Sequence, residues 1–188
     1  LEYFARCISS LTQFLRRPLS CFYDLSLRGP TVSSPSAAFG TAMHFALRRL
    51  FDRWQQAPEA ERPDVDAFVG FYVEELYRQE GCFTATEFRH RLDLGRQFLR
   101  RYYQQHEAGW TVAAQVEQSF RHLEIDGVPV EGTIDKLDLS MEKKAVIVDY
   151  KTGSHVAKKV RGPRPSEPLG GIYWRQLHFY KLLYKAQQ

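Results

Sequence analysis

The stretch Val130 to Gly153, VEGTIDKLDLSMEKKAVIVDYKTG, restricts this chain more than any other. Two runs rich in apolar and β-branched residues flank a charged break, Ser140 to Lys144, which is the pattern of a β-hairpin. If the hairpin closes about Glu142, Leu139 faces Ala145, Leu137 faces Ile147 and Thr133 faces Lys151. Asp135 then faces Asp149. Directly opposed residues on neighbouring strands have Cβ atoms only ~5 Å apart, and two like charges there are unfavourable. Either one carboxyl keeps its proton or a cation sits between them. Period-two geometry adds Lys151 to the face of Asp149, with Leu137, Ile147 and Leu139 as an apolar footing. The hairpin thus presents two carboxylates and one ammonium.

Two readings fit that arrangement. One is a surface Asp–Asp–Lys salt-bridge cluster. The other is a metal site. Asp149 closes the most apolar run of the chain, Ala145 to Val148, where a central strand is expected, and charges in such places are usually paired or metal-bound. Carboxylate oxygens favour hard cations such as Mg2+, which retain waters and accept phosphate oxygens as further ligands. Lys151, close to such a site, could orient or help deprotonate an attacking water, or stabilise a developing oxyanion.

The rest of the chain is mostly helical before this hairpin. Ile8, Leu11, Leu15 and Leu19 set a helical stripe within residues 5 to 28, interrupted at Pro18 and followed by Phe22 and Tyr23. Gly29-Pro30 and residues 33 to 36 read as a loop. A helix over Ala37 to Gln56 buries Met43, Leu47, Leu50, Phe51 and Trp54. His44 borders that stripe, one turn after Gly40, and by itself reads as an ordinary half-buried histidine. Gly40 leaves room for close approach of a backbone or ligand. Asp64 caps a helix carrying Phe68, Phe71, Tyr72 and Leu76 up to Gly81. Thr84 with Glu87 forms a capping box for the next helix, which runs to His106.

Strands follow Trp110. Thr111 to Ile125 holds two alternating stretches, and Asp126-Gly127 is a strong two-residue hairpin turn before Val128 to Leu139. Glu117 lies in the strand before that turn. It is solvated unless its strand neighbours the acidic arm. Residues 152 to 171 are expected to be irregular, with Lys158, Lys159, Arg161 and Arg164 among prolines and glycines. Such a segment serves either as a solvated linker or as a phosphate-contacting flap. A last helix starts at Ile172, with Tyr173, Leu177, Tyr180 and Tyr184 on one face and Gln176 at its edge.

With 188 residues, 44% apolar and 14% aromatic, the chain can bury one sizeable core. A net charge of +4 mildly favours an anionic partner. Cys7, Cys21 and Cys82 are odd in number and outside any C-x-x-C spacing, as expected of reduced packing thiols in a cytoplasmic protein. No apolar run reaches the ~18 residues a membrane span needs, and no signal peptide is visible. No phosphate-binding glycine loop, nucleophile elbow or zinc-ligand spacing occurs. The chain starts without Met and stops within a helical pattern, so it is expected to be cut from a longer polypeptide.

GTIDKLDL followed by AVIVDYKTG resembles the nuclease core of the PD-(D/E)XK superfamily, in particular its RecB-type branch. Three further segments agree, in the same order. ISSLTQFLRRPLSCFYD resembles the first helix of that branch, FGTAMH supplies its histidine, and RQLHFYKLLY resembles its Gln-x-x-x-Tyr helix. The resemblance covers most of the chain, with residues 57 to 109 least informative. It implies a restriction-endonuclease-like α/β fold, with a mixed sheet flanked by helices and an N-terminal helical cap. It implies Asp135 and Asp149 as metal ligands, Lys151 as the catalytic lysine and His44 as a further metal ligand. The backbone carbonyl of Tyr150 would face the same metal. Gln176 and Tyr180 would support the site or the DNA strand, and Glu117 stands where many members carry a glutamate. The implied cofactor is Mg2+ or Mn2+. An iron–sulfur cluster, which some relatives carry, is not expected, because Arg17 occupies the usual cysteine position in Arg17-Pro18-Leu19-Ser20 and no cysteine follows Cys82.

The resulting expectation is a metal-dependent deoxyribonuclease domain, exonuclease rather than endonuclease. It would partner DNA and a helicase domain or subunit in recombination or double-strand break repair, with no membrane involvement. An alternative is a catalytically inactive DNA-binding module of the same fold, which would be expected to have lost at least one of His44, Asp135, Asp149 and Lys151. A stand-alone defence-associated exonuclease is the other.

Overall fold

The computed structural model of the chain describes residues 7–16, 33–141, 144–154 and 156–188. Their elements run α1 (Ile8–Arg16), α2 (Pro35–Gln56), α3 (Val65–Arg78), α4 (Ala85–His106), β1 (Ala114–Ile125), β2 (Val128–Met141), β3 (Lys144–Val148), α5 (Ala157–Val160) and α6 (Ile172–Ala186). The break expected at Pro18, the aromatic pair Phe22 and Tyr23, the Gly29-Pro30 turn, the Arg17 motif, Cys21 and the hairpin centre Glu142 lie outside the described residues. The architecture is α/β, a three-stranded antiparallel sheet in the order β1-β2-β3 with flanking helices.

The helix starts follow local chemistry. Ser34 caps α2 by accepting a hydrogen bond from the Ala37 amide at 3.2 Å, and Pro35 occupies the first turn, where a missing N–H costs nothing. The helix therefore begins two residues before the expected Ala37. The Asp64 carboxylate accepts from the Ala67 amide at 2.8 Å to start α3. At α4 the Thr84 hydroxyl accepts from the Glu87 amide, and the Glu87 carboxylate accepts from the Thr84 amide at 2.9 Å, so the capping box is complete.

Two compact units divide the chain. One holds residues 31 to 117 and 135 to 152; the other holds 118 to 134 and 153 to 188 with α1. The first unit has its core between α2, α3 and α4. Phe39, Leu50, Phe51, Phe68, Tyr72, Leu76 and Leu99 are buried there. Trp110 anchors the passage from α4 into β1: its ring lies 5.0 Å from Trp54, 5.2 Å from Phe51 and 5.1 Å from Tyr103. Each such aromatic pair contributes about 0.5–1.5 kcal/mol beyond its buried area. In the second unit Phe120, Val130, Ile134, Phe179, Tyr180 and Leu183 are buried, and the absent side chain at Gly132 lets Leu183 come close to β2.

The β2–β3 register matches expectation from Lys136↔Val148 through Leu137↔Ile147 to Asp138↔Val146. It then shifts before Met141↔Lys144, so the predicted Leu139–Ala145 pair does not form. Leu139 is exposed and does not belong to the apolar footing, whereas Leu137 is buried. The break is also shorter than predicted, because β2 extends to Met141 and β3 starts at Lys144. Two further expectations are corrected. β3 is an edge strand and β2 the central one among the described strands, so the apolar run Ala145 to Val148 does not mark the sheet centre. β3 also ends at Val148, so Asp149 and Lys151 follow the strand and do not pair within it. The cause is local: the Tyr150 amide donates to the Asp135 carboxylate at 2.8 Å, not to a strand carbonyl.

The segment predicted to be irregular contains the short helix α5 and an isolated antiparallel bridge, Arg164↔Glu167. No helix among the described residues is long and apolar enough to cross a membrane.

Candidate metal centre

α2 carries His44 on the border of its buried stripe, so the ring is held at its base by core neighbours and remains partly accessible. Its Nε2 lies 3.1 Å from the Tyr150 carbonyl oxygen, 106 positions along the chain. A carbonyl can only accept, so Nε2 carries a proton, and Nδ1 is the nitrogen that a neutral ring has left to offer a metal. Nδ1 points to Asp135 Oδ1 at 3.6 Å. The other Asp135 oxygen accepts the Tyr150 amide at 2.8 Å. One dipeptide thus fixes both partners. The Tyr150 carbonyl orients the histidine and the Tyr150 amide orients the aspartate. Such bonds from outside a metal's own ligand set are a recurrent means of fixing ligand geometry. The carbonyl keeps a second lone pair, as the expected metal contact of Tyr150 requires.

Tyr150 is in turn held from behind. Its hydroxyl lies 3.0 Å from that of Tyr102 on α4, and the two rings meet edge to face at 5.9 Å. Burial raises the pKa of both phenols, so they stay protonated at physiological pH. Lys136 follows Asp135 on β2 and pairs with Asp138 at 3.9 Å. Alternation sends its side chain to the opposite strand face, where its ammonium is buried 4.3 Å over the Phe51 ring of α2. Gly40 places Thr152 Oγ1 at 3.4 Å from where a Cβ would stand, so the glycine does admit close approach, here by the segment following the acidic hairpin.

Glu117 completes the cluster. Ligand atoms of His44, Glu117 and Asp135 all lie within 4.8 Å of one another. The backbone of Glu117 departs from the pleat, with φ +49°, a region that non-glycine residues seldom enter. Local departures of this kind re-aim a strand side chain. Burial, followed by the Asp135 charge, raises the Glu117 pKa. Burial also raises that of Asp135, against the opposing effects of His44 and the Tyr150 amide. Two carboxyls that are reluctant to ionise beside an imidazole form a donor set suited to a divalent cation, whose charge would offset the burial.

Asp149 and Lys151 form a separate pair at 2.5 Å, with the Asp149 side chain nearly buried and Lys151 about one-third exposed. Both charges act on Asp135, Asp149 raising its pKa and Lys151 lowering it. Among the described residues Asp149 lies outside the three-residue cluster. Sequence reasoning weighted Asp149 above Glu117; the strand irregularity that turns Glu117 inward has no signature of its own in the sequence. Gln176 donates through Nε2 to the Tyr180 hydroxyl at 2.7 Å within α6, in the other unit. The four predicted DNA contacts belong to that unit as well. Lys158 pairs with Glu167 at 3.9 Å, Lys159 reaches the Tyr173 hydroxyl at 3.4 Å, and Arg161 and Arg164 are exposed.

The sequence matches the family model of the PD-(D/E)XK nuclease superfamily over residues 7–188. No curated protein and no solved structure matches it.

Proposed function

The chain belongs to the PD-(D/E)XK nuclease superfamily, a group of metal-dependent nucleases, and from that premise we propose that it is a deoxyribonuclease using Mg2+ or Mn2+. The observation that carries this reading is the convergence of His44, Glu117 and Asp135 from three separate elements, beside the Asp149–Lys151 pair. His44, Glu117 and Asp135 would hold the cation, with Asp149 and the Tyr150 carbonyl as further oxygen donors. A bound divalent ion supplies charge neutralisation at phosphate oxygens and a more acidic water.

The protein's own groups do the rest. Lys151, held by Asp149, presents an ammonium that orients the attacking water and stabilises charge on the phosphate oxygens. The Tyr150 carbonyl accepts from His44 Nε2 and so keeps Nδ1 turned toward the carboxylates as the ring's metal-binding atom. Tyr150 and Tyr102, locked together and protonated, keep that carbonyl in place.

The finer reading is a RecB-type domain with exonuclease action. In that reading it works with a helicase domain or subunit on DNA ends in recombination or double-strand break repair, in the cytoplasm. The ordered motifs Gly-x-x-x-His, Gly-x-Ile-Asp and Asp-Tyr-Lys-Thr-Gly support it. The basic residues Lys158, Lys159, Arg161 and Arg164 would contact phosphates, and Gln176 with Tyr180 would support the strand. The test is release of nucleotides from a labelled DNA by the purified chain with Mg2+ or Mn2+. Lys151→Ala should lower the rate at least about a hundredfold while leaving Mn2+ binding within a few-fold. Unchanged cleavage by Lys151→Ala overturns the mechanism, and Mn2+-independent DNA binding without cleavage would favour an inactive DNA-binding module.

A further inference from the structure

Positive charge is concentrated toward the end of the chain. Residues 153 to 188 hold seven lysines and arginines against one acid, Glu167, a formal charge of +6 where the whole chain carries +4. Part of that charge lies on a face of α6 that neither the metal centre nor the expected phosphate contacts use. At about 100° per residue, Trp174, His178, Lys181 and Lys185 fall within about 60° of one another around the helix, opposite the buried Phe179, Tyr180 and Leu183. Trp174 is half-buried and the other three are exposed, with exposed Leu177 and Leu182 along the borders. The His178 ring stacks on the Trp174 indole, with centroids 3.7 Å apart and planes 23° from parallel. Its Nδ1 donates to the Trp174 carbonyl at 2.9 Å, so the ring is held by both a stack and a hydrogen bond. A Cβ at Gly162 would stand 3.3 Å from Trp174 Nε1, so the basic segment before α6 packs along the edge of the indole. α6 carries no acidic side chain to neutralise Lys181 or Lys185.

An exposed imidazole fixed with one face on an indole keeps its other face toward solvent, and such a ring face on a basic surface fits a nucleobase. Stacking of this kind accepts any base, but only one whose own face is uncovered, as in a single strand; in a duplex the neighbouring pairs cover it. From His178 to Lys185 the helix advances about 10 Å, or roughly three nucleotides at ~3.4 Å each, so two ammonium groups stand within reach of the phosphates next to a stacked base. The concentration of positive charge favours a polyanion over a protein partner for this face. We propose that Trp174 and His178 form a base-stacking platform, with Lys181 and Lys185 as its phosphate contacts, by which α6 binds single-stranded DNA. This inference rests on the nuclease reading for DNA as the substrate and adds to it the strand state that is bound. Its residues are distinct from Gln176, Tyr180 and the four basic residues expected to contact DNA.

Binding measured without metal tests the platform separately from catalysis. The probes are a fluorescein-labelled oligothymidylate 20-mer and a labelled duplex of the same length, each titrated with the full chain in EDTA at several salt concentrations. The single strand should bind at least about tenfold more tightly than the duplex, the gain expected from a base–aromatic stack. His178→Gln keeps a polar side chain without a ring and should lose about fivefold to a hundredfold in single-strand affinity. His178→Phe keeps a ring and should stay within about threefold of wild type. Lys181→Gln with Lys185→Gln should reduce the slope of log K against log salt by about 1.4, about 0.7 for each lost phosphate contact. Arg100→Gln is the control, since Arg100 belongs to the other unit and pairs with Asp66 at 2.7 Å; it should leave affinity and slope unchanged. Wild-type affinity in His178→Gln, an equal loss in His178→Phe or Arg100→Gln, or a wild-type slope in the lysine variant overturns the platform. A duplex bound as tightly as the single strand overturns it as well. Absence of Mn2+-dependent cleavage by the wild type would overturn the nuclease reading and leave these affinities to decide the platform.

Discussion

His44 Nδ1 faces Asp135 Oδ1 at 3.6 Å, although one residue is on a helix and the other on the central strand of the sheet. The histidine can hold this position only because its other nitrogen donates to the Tyr150 carbonyl. A single tautomer, fixed by the backbone, therefore makes the imidazole a ligand candidate. His44→Ala should weaken Mn2+ binding by about tenfold to a hundredfold or more, and Asp135→Asn should weaken it further. Isothermal titration calorimetry measures this directly. The rise in Tm on adding Mn2+ should shrink in the same order, since a ligand that binds only the folded state stabilises it by mass action.

The raised pKa values of Asp135 and Glu117 have a consequence for the metal-free protein. A carboxyl whose folded pKa exceeds its unfolded value contributes stability below the unfolded value, ~4. That stability disappears as pH rises through the folded pKa. In EDTA, Glu117→Gln should therefore be more stable than wild type near neutral pH, with the advantage shrinking as pH falls toward ~4. With saturating Mn2+ the order should reverse, because the glutamine cannot supply an anionic oxygen. Melting curves at a series of pH values, with and without metal, check both signs.

Gly95 on α4 touches the buried ring of Tyr72. A Cβ at position 95 would stand 2.2 Å from Tyr72 Cζ, and the Tyr72 hydroxyl donates to the Arg91 carbonyl at 2.6 Å. Gly95→Ala should destabilise the chain by about 1–3 kcal/mol despite the better helix propensity of alanine. Tyr72→Leu in the same background should recover part of the loss. Urea denaturation of the two single variants and the double variant gives the coupling.

The capping box of α4 offers a test remote from the metal centre. Thr84→Ala should cost about 1 kcal/mol. The Thr84 amide and then its hydroxyl, which donates to the Glu87 carboxylate at 2.8 Å, lower the Glu87 pKa; the hydroxyl's part, which alanine removes, is present above the usual carboxylate value and fades as pH falls through the lowered one. Denaturation at pH 7 and at pH 3 should show a smaller difference between Thr84→Ala and wild type at the lower pH.

Much of the local structure was determined by the sequence alone. Asp64 and Thr84 with Glu87 mark their helix starts because capping depends on a few adjacent residues. Asp126-Gly127 closes its hairpin because both positions take positive φ, as a two-residue turn requires. The acidic hairpin and its register through Asp138↔Val146 could be read from pattern.

What only the tertiary structure decided are the relations that depend on distant packing. Glu117 joins His44 and Asp135 because a left-handed residue interrupts β1, a departure that alternation in the sequence does not encode. Asp149 turns to Lys151 because the Tyr150 amide leaves the ladder for the Asp135 carboxylate. Caps and turns act over a few residues and are written in local composition. A side-chain cluster drawn from a helix and two strands exists only when the core between them has formed.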